Sequence, residues 1–399
     1  MRARWLGWGL LFAERAWKHA EVVRFFRRPV PQAATSPELI SILQPVLSGD
    51  PTMAASLERT LAMRTRYPFE VIWLADDHDS AAQVICRDLA ARYPHRATRL
   101  VCVAPPGPRE NPKLVKVIAG AALAHGDVLC ILDDDTRLPD GGLEQLIPSL
   151  ALPGVGLAFG LPYYESFSTL WSSLTSLFVN GNSLTTYLPY LRLSEPFTIN
   201  GMLYALRRDV YDRIGGFQAI IGMAADDFAA GHLLRQHGYR LAQTPLRHGI
   251  STSVRTYADY ARLMHRWLLF PRESVLRQLS PRERGIIIVL GLLPALIPLA
   301  LLARLLLWPS RRAAALTAAY FAYDVAMLAH FNRAYLRRST PVWALWLRPV
   351  AQALTGIQVI AALLAPQRMM WRGKVMRIER GGGFTYEAAA HDISERSPS

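Results

Sequence analysis

The sequence predicts an α/β protein: an open, mostly parallel sheet covered by helices, followed by amphipathic and then membrane-crossing helices. Three observations predict it. Strand and helix signals alternate through the first half of the chain. An apolar run, Val128 to Leu132, ends in Asp133, Asp134 and Asp135, as where an open sheet delivers polar side chains to its carboxyl edge. Finally, residues 285–303 contain no charge at all, and about 20 apolar residues suffice to cross a bilayer.

Residues 5–13 are apolar, but Glu14, Arg15, Lys18 and Arg24 follow at once. So short a run cannot span a hydrocarbon core of about 30 Å, and no small-residue cleavage site follows it. The segment 1–28 is therefore expected to be an interfacial helix with tryptophan anchors, or a partial span. Residues 29–37, with Pro29, Pro31 and Pro37, read as a linker.

A domain is expected over 38–252. Its strands are predicted over 39–47, 69–75, 98–103, 128–132 and 155–159, and helices over 52–65, 80–92, 113–125 and 140–151. Strands separated by helices of this length form βαβ units. A more irregular stretch to about 250 holds a strand over 197–206 and a helix beginning near Asp226. Residues 253–284 are basic and rich in Trp, Leu and Arg, which reads as a helix pair lying on a membrane surface.

Within 285–366, spans are predicted over 285–303, 313–331 and 349–365. Asp324 and His330 interrupt the second, and Arg348 precedes the third. The tail 367–399 carries Arg368, Arg372, Lys374, Arg377 and Arg380, which favours a cytoplasmic position. Three full spans would place that tail opposite the 38–252 domain, so a re-entrant or interfacial segment stays open. The expectation is a multi-pass protein of the cell's inner membrane with its large domain in the cytoplasm.

Charge narrows the partners. The chain of 399 residues carries a net charge of +14 and is 51% hydrophobic, with a mean hydropathy of +0.13. A basic protein of this kind favours anionic partners such as nucleic acid, acidic headgroups or nucleotide diphosphates. No zinc-finger spacing, helix-turn-helix or aromatic-basic RNA pattern is present, so nucleic acid is not expected. Cys86, Cys102 and Cys130 lie far apart in apolar patterns and read as reduced, buried thiols.

The chemistry rests on carboxylates. Asp133 and Asp135, at i and i+2 beyond a strand, can hold Mg²⁺ or Mn²⁺ while a ligand's phosphates complete the shell; the same residues can also cap the helix near Pro139. Asp76, Asp77 and Asp79 follow another strand, where they can accept hydrogen bonds from a uracil or ribose, or cap the helix near Ser80. Lys113, after Asn111 and Pro112, opens a basic helix with Lys116; it is either a diphosphate contact or a solvated lysine. Asp226 and Asp227 precede a helix; with no histidine-serine pair or reactive cysteine nearby, a carboxylate is the candidate general base, and the alternative is again a cap. Arg262, His265, Arg266 and Trp267 can hold a departing diphosphate or serve as interfacial anchors.

The order of these motifs resembles that of family 2-like glycosyltransferases of GT-A fold, and more closely family 21, which includes ceramide glucosyltransferase and bacterial hopanoid-type lipid glycosyltransferases. The resemblance runs from Leu43–Pro51 through Asp77–Asp79, Asn111–Lys113, Asp133–Asp135, Gly160–Tyr163, Gly201–Asp209 with Gly215 and Gly216, Asp226–Phe228 and Met264–Trp267 to Trp371–Lys374. It implies that Asp77 contacts the nucleotide, Asp133 and Asp135 bind the metal-diphosphate, Asp227 is the base, and Arg266 and Trp267 form part of a (Q/R)-x-x-R-W motif. Asp79, Lys113, Asp226 and Arg262 complete the expected nucleotide-sugar contacts. The chain departs from the pattern at Leu263, where Gln or Arg is usual, at Gln44 in a usual Lys-Pro-Leu, and at Ala81 in place of proline.

The function expected from this is metal-dependent, inverting transfer of a hexose, glucose first, from a UDP-sugar to a ceramide-like lipid hydroxyl. Two alternatives stand beside it: a processive polysaccharide synthase, for which three or fewer spans offer little channel, and a metal-dependent lipid-diphosphate phosphohydrolase. The residues do not indicate an oligomeric state.

Overall fold

The computed structural model describes residues 2–32, 36–337, 340–371 and 374–387. Eight strands form one sheet: β1 (Ile40–Pro45), β2 (Phe69–Asp76), β3 (Ala97–Val103), β4 (Val128–Leu132), β5 (Thr136–Arg137), β6 (Val155–Tyr164), β7 (Leu203–Arg207) and β8 (Arg240–Ile250). Their order is β3-β2-β1-β4-β7-β6-β8-β5. The pairs β1–β2, β2–β3, β1–β4 and β6–β8 are parallel, and β7 runs antiparallel to both β4 and β6.

Alternation along the central strands explains the layering. Val71, Trp73 and Ala75 join one core with Leu57 and Leu61 of the helix Met53–Ala62 and Leu89 of the helix Ser80–Arg92. Ile72 and Leu74 join another with Leu114, Val117 and Ala121 of the helix Pro112–Leu123. A sheet buried on both faces needs this continuous apolar sequence. Gly120 lets the third helix approach closely, since a Cβ there would stand 2.8 Å from a Leu74 methyl. The chain builds outward from β1 to β3 and then returns to β4 on the other side of β1, and the crevice at this reversal is where open α/β sheets bind ligands.

Several elements differ from expectation. The strand expected over 197–206 begins only at Leu203, after a turn at Asn200 and Gly201. The stretch read as irregular holds the helix Leu170–Asn182 and all of β8. Pro245 and the polar residues of β8 conceal it, and its pairing with β6 carries register shifts. The N-terminal segment is one helix, Arg2–Phe26.

Two helices, Pro281–Leu307 and Arg311–Ala334, are long and apolar enough to cross a membrane, with mean hydropathies of 2.8 and 1.2. Arg348–Leu364, expected as a third span, has 17 residues, about 25 Å at 1.5 Å per residue, short of a hydrocarbon core. Three buried basic side chains find partners on the apolar helices. Arg348 Nε donates to Asp324 at 2.8 Å, Arg15 reaches the same carboxylate at 3.4 Å, and Lys18 Nζ donates to the Leu290 carbonyl at 2.8 Å.

The amphipathic segment forms the helix Tyr257–Phe270, begun by a Thr256–Asp259 capping box, and a second box at Ser280 and Glu283 begins the next helix. The tail, read only as basic, folds into an antiparallel sheet of β9 (Arg368–Trp371), β10 (Lys374–Ile378) and β11 (Phe384–Tyr386). Arg372 and residues 388–399 lie outside the described residues.

Candidate active site

The three aspartates after β4 reach three different neighbours. Asp133 pairs with Lys113 Nζ at 2.6 Å. Asp134 accepts from the Leu47 amide at 2.8 Å, in the loop after β1. Asp135 accepts from Thr252 Oγ1 at 2.6 Å, just beyond β8. None of the three caps the helix near Pro139; they fasten the loops around the crevice instead. Burial, only partly offset by Lys113, pushes Asp133 up to about 7, although 26% of its side chain stays open at the crevice. Burial and Asp135 likewise push Asp134 up to about 7.

Lys113 is where the site closes. Asn111 caps the helix Pro112–Leu123 by accepting from the Lys113 amide at 2.9 Å, and Pro112 takes the first turn, where no amide partner is needed. The same Asn111 donates to the Met223 carbonyl at 2.9 Å, tying this helix start to the segment before Asp226. Lys113 Nζ then contacts Asp133, Asp226 at 3.2 Å and the Gly201 carbonyl at 2.7 Å. Burial works against its charge, but Asp133 and Asp226 outweigh it and hold the ammonium well above the ordinary lysine range. The lysine is a bridge, not a solvated side chain.

Asp226 and Asp227 begin the helix Asp226–Gln236, whose capping position is Ala225. Asp227 accepts from the Phe228 amide at 2.7 Å. Burial, with the Asp226 charge added, pushes its carboxyl up to about 6. Gly201 packs directly on it: a Cβ at that position would stand 2.8 Å from the Asp227 Cβ.

The cluster after β2 divides. Asp79 caps the helix Ser80–Arg92, accepting from the Ala82 amide at 3.1 Å and from the Ser48 amide at 2.8 Å. Both of its oxygens are thus engaged by backbone, which makes it a positioning residue. Asp76 is buried against Lys116 at 3.0 Å, and Lys116 also donates to the Val46 carbonyl. Asp77 is exposed at the crevice rim and touches His78 at 3.1 Å, leaving it accessible to a ligand.

On the helix Tyr257–Phe270, Arg262 pairs with Asp259 on the surface and is not brought to the carboxylates. Trp267 stacks on Phe178 at 6.0 Å and meets Tyr164 edge-on at 5.9 Å. Arg266 makes no ion pair or hydrogen bond among the described residues, and its charge acts on the Tyr164 hydroxyl together with those of Asp135 and Asp133.

Four residues were missed by sequence reasoning. Tyr204, fully buried on β7, lies within electrostatic reach of Lys113, Asp226 and Asp133, and Tyr164 and Tyr187 flank the carboxylates. Buried His248 faces Asn200 Oδ1 at 3.3 Å, and burial pushes its ring down to about 3. An isolated tyrosine or histidine within an apolar strand, or a tyrosine within a helix as at Tyr187, gives no sequence signal.

Among the described residues, no three His, Cys, Asp or Glu side chains gather as a ready-made cation site. Asp133 and Asp135 supply hard oxygens from one turn, and the under-compensated charge of Asp133 favours a cation there. Two carboxylates suit a cation whose remaining ligands are phosphates and waters.

The fold is that of a known structure: the mannosyltransferase PcManGT from Pyrobaculum calidifontis in complex with GDP-Man and Mn2+ superposes with a TM-score of 0.53 at 20% identity, covering 87% of this chain and 96% of that one. Residues 10–384 match glycosyl transferase family 21. A mostly parallel sheet of GT-A type, with carboxylates and a lysine joined at its carboxyl edge, is thus accounted for by descent as well as by geometry: the chain belongs to glycosyl transferase family 21 and transfers a sugar from a nucleotide-sugar.

Proposed function

We propose that this enzyme moves a hexose, glucose from UDP-glucose being the first candidate, to the hydroxyl of a membrane lipid of ceramide type, with inversion at the anomeric carbon. The observation that carries the reading is the convergence of Asp133, Gly201 and Asp226 on the Lys113 ammonium, with the Asp227 carboxyl beside it. Membrane-crossing candidates in the same chain support a lipid acceptor. The Mn2+ complex of the similar mannosyltransferase supports a divalent metal.

Asp227 takes the acceptor proton as the hydroxyl oxygen attacks the anomeric carbon. A new carbon–oxygen bond forms while the bond to the diphosphate breaks, and its electron pair leaves with the nucleotide. Lys113 and Arg266 hold the diphosphate as charge builds on it, commonly a large share of the catalytic effect. A divalent cation bound by Asp133 and Asp135 would supply further stabilisation of that charge. Asp77, open at the rim, accepts hydrogen bonds from the nucleoside.

The test is to incubate membranes containing the protein with labelled UDP-glucose, other UDP-sugars and GDP-mannose, then extract lipids for mass spectrometry. A labelled glycolipid whose formation stops in EDTA is expected. Label recovered in an insoluble polymer, or inorganic phosphate without transfer, contradicts the reading.

A further inference from the structure

A cavity of about 70 Å³ adjoins the site and is not used by the chemistry above. Phe159, Tyr187, Phe197, Ile199, Ile287 and Leu290 are among its lining residues, and the surface they present is almost wholly apolar. Asn200 in this lining is next to Gly201 and hence near Asp227. Tyr187, also in the lining and 40% exposed, stands within reach of the Asp227 charge. Ile287 and Leu290 of the same lining belong to the membrane-crossing candidate Pro281–Leu307.

The lining selects its occupant. The Gln243 amide is spent on the carbonyls of Phe159 and Thr244, both at 3.2 Å. A sugar or nucleotide there would find too few polar partners for its many hydroxyls and amides, which are costly to bury unpaired. Hydrocarbon carries no such penalty, and apolar cavities take up apolar ligands. At about 10–15 Å³ for each water-sized group, the space holds on the order of five methylenes.

We propose that this cavity seats the carbons next to the headgroup of one hydrocarbon chain of the lipid acceptor, which enters at Ile287 and Leu290 and presents its hydroxyl to Asp227. The assignment rests on Asp227 as the base. It makes the cavity the part of the enzyme that senses chain length near the reacting hydroxyl.

The test uses the full-length enzyme in nanodiscs, with ceramides whose two chains are shortened in step from decyl to methyl, so that the shortest leaves the cavity unfilled, and acylglycerols shortened likewise in parallel. Ile287→Trp fills the cavity from the membrane-crossing candidate and Thr198→Trp from the segment before Asn200. Each is expected to raise KM about tenfold or more for the longer chains, with KM for the nucleotide-sugar and for the shortest acceptor unchanged. Wild-type chain preference in both variants, or equal loss at every chain length, overturns the cavity assignment alone. A wild-type enzyme that glycosylates no lipid overturns the functional reading and the assignment with it. Should either variant fail to fold, the wild-type enzyme answers: a ceramide with a diazirine beside the headgroup is expected to label residues 186–200. Label confined to Arg311–Ala334 and Arg348–Leu364 overturns the proposal.

Discussion

Lys113 holds together groups far apart in the chain, and the residues it touches set what single substitutions do. The Gly201 carbonyl accepts from this lysine and the residue packs on Asp227, so it has no room for a side chain. Gly201→Ala is expected to displace the Asp227 carboxyl and lower kcat about 10²-fold, the scale of an ångström-sized misplacement, while the thermal midpoint moves little; unchanged kcat contradicts the packing argument. The Asp227 carboxyl, raised to about 6, gives a second expectation. A base must be ionised, so kcat/KM should be full above that pH and fall about tenfold per unit below it; an acid limb at the ordinary aspartate value of 3.8 contradicts the burial of this group. Asp133, Asp226 and Asp227 were legible because acidic residues that follow a buried strand or open a helix stand out in sequence. Tyr204 and Tyr187 were not, because their place beside the carboxylates depends on the sheet order.

At the scale of elements, caps fix where the site helices begin. Asp79 and Asn111 start two of them, and each also binds a neighbouring loop. Asp79→Ala should therefore cost about 1 kcal/mol of stability, seen as a lower denaturation midpoint, with donor affinity unchanged. A large loss of donor affinity at full stability would make Asp79 a ligand contact instead. Both caps were readable from residue type and position. The strand β8 was not, since Pro245, Arg240 and Gln243 mask a segment whose pairing comes entirely from β6 and β5. The tail sheet was equally hidden: its Ala224–Gly382 hydrogen bond and the Arg109–Glu379 ion pair join segments distant in sequence, and they brace the loops before Asp226 and Lys113.

At the scale of the molecule, the N-terminal helix and the apolar helices are fastened to one another by buried charge. Asp324 looked like an interruption of a span because its partners, Arg15 and Arg348, lie on other helices. Removing one member of a buried set leaves the others uncompensated, so Asp324→Leu should destabilise the protein by about 3–5 kcal/mol, read as a lower thermal midpoint in detergent; an unchanged midpoint contradicts the role of this network. The alternating strands, the apolar helices and the acidic edge were thus visible in sequence, whereas the contacts that fasten the helices to one another were not. The central claim is that one carboxyl at this edge takes the acceptor proton. Asp227→Asn tests it most directly, with nucleotide-sugar affinity and transfer measured on the same preparation. The account predicts affinity within about twofold of wild type and transfer reduced about 10²–10⁴-fold; undiminished transfer would contradict it.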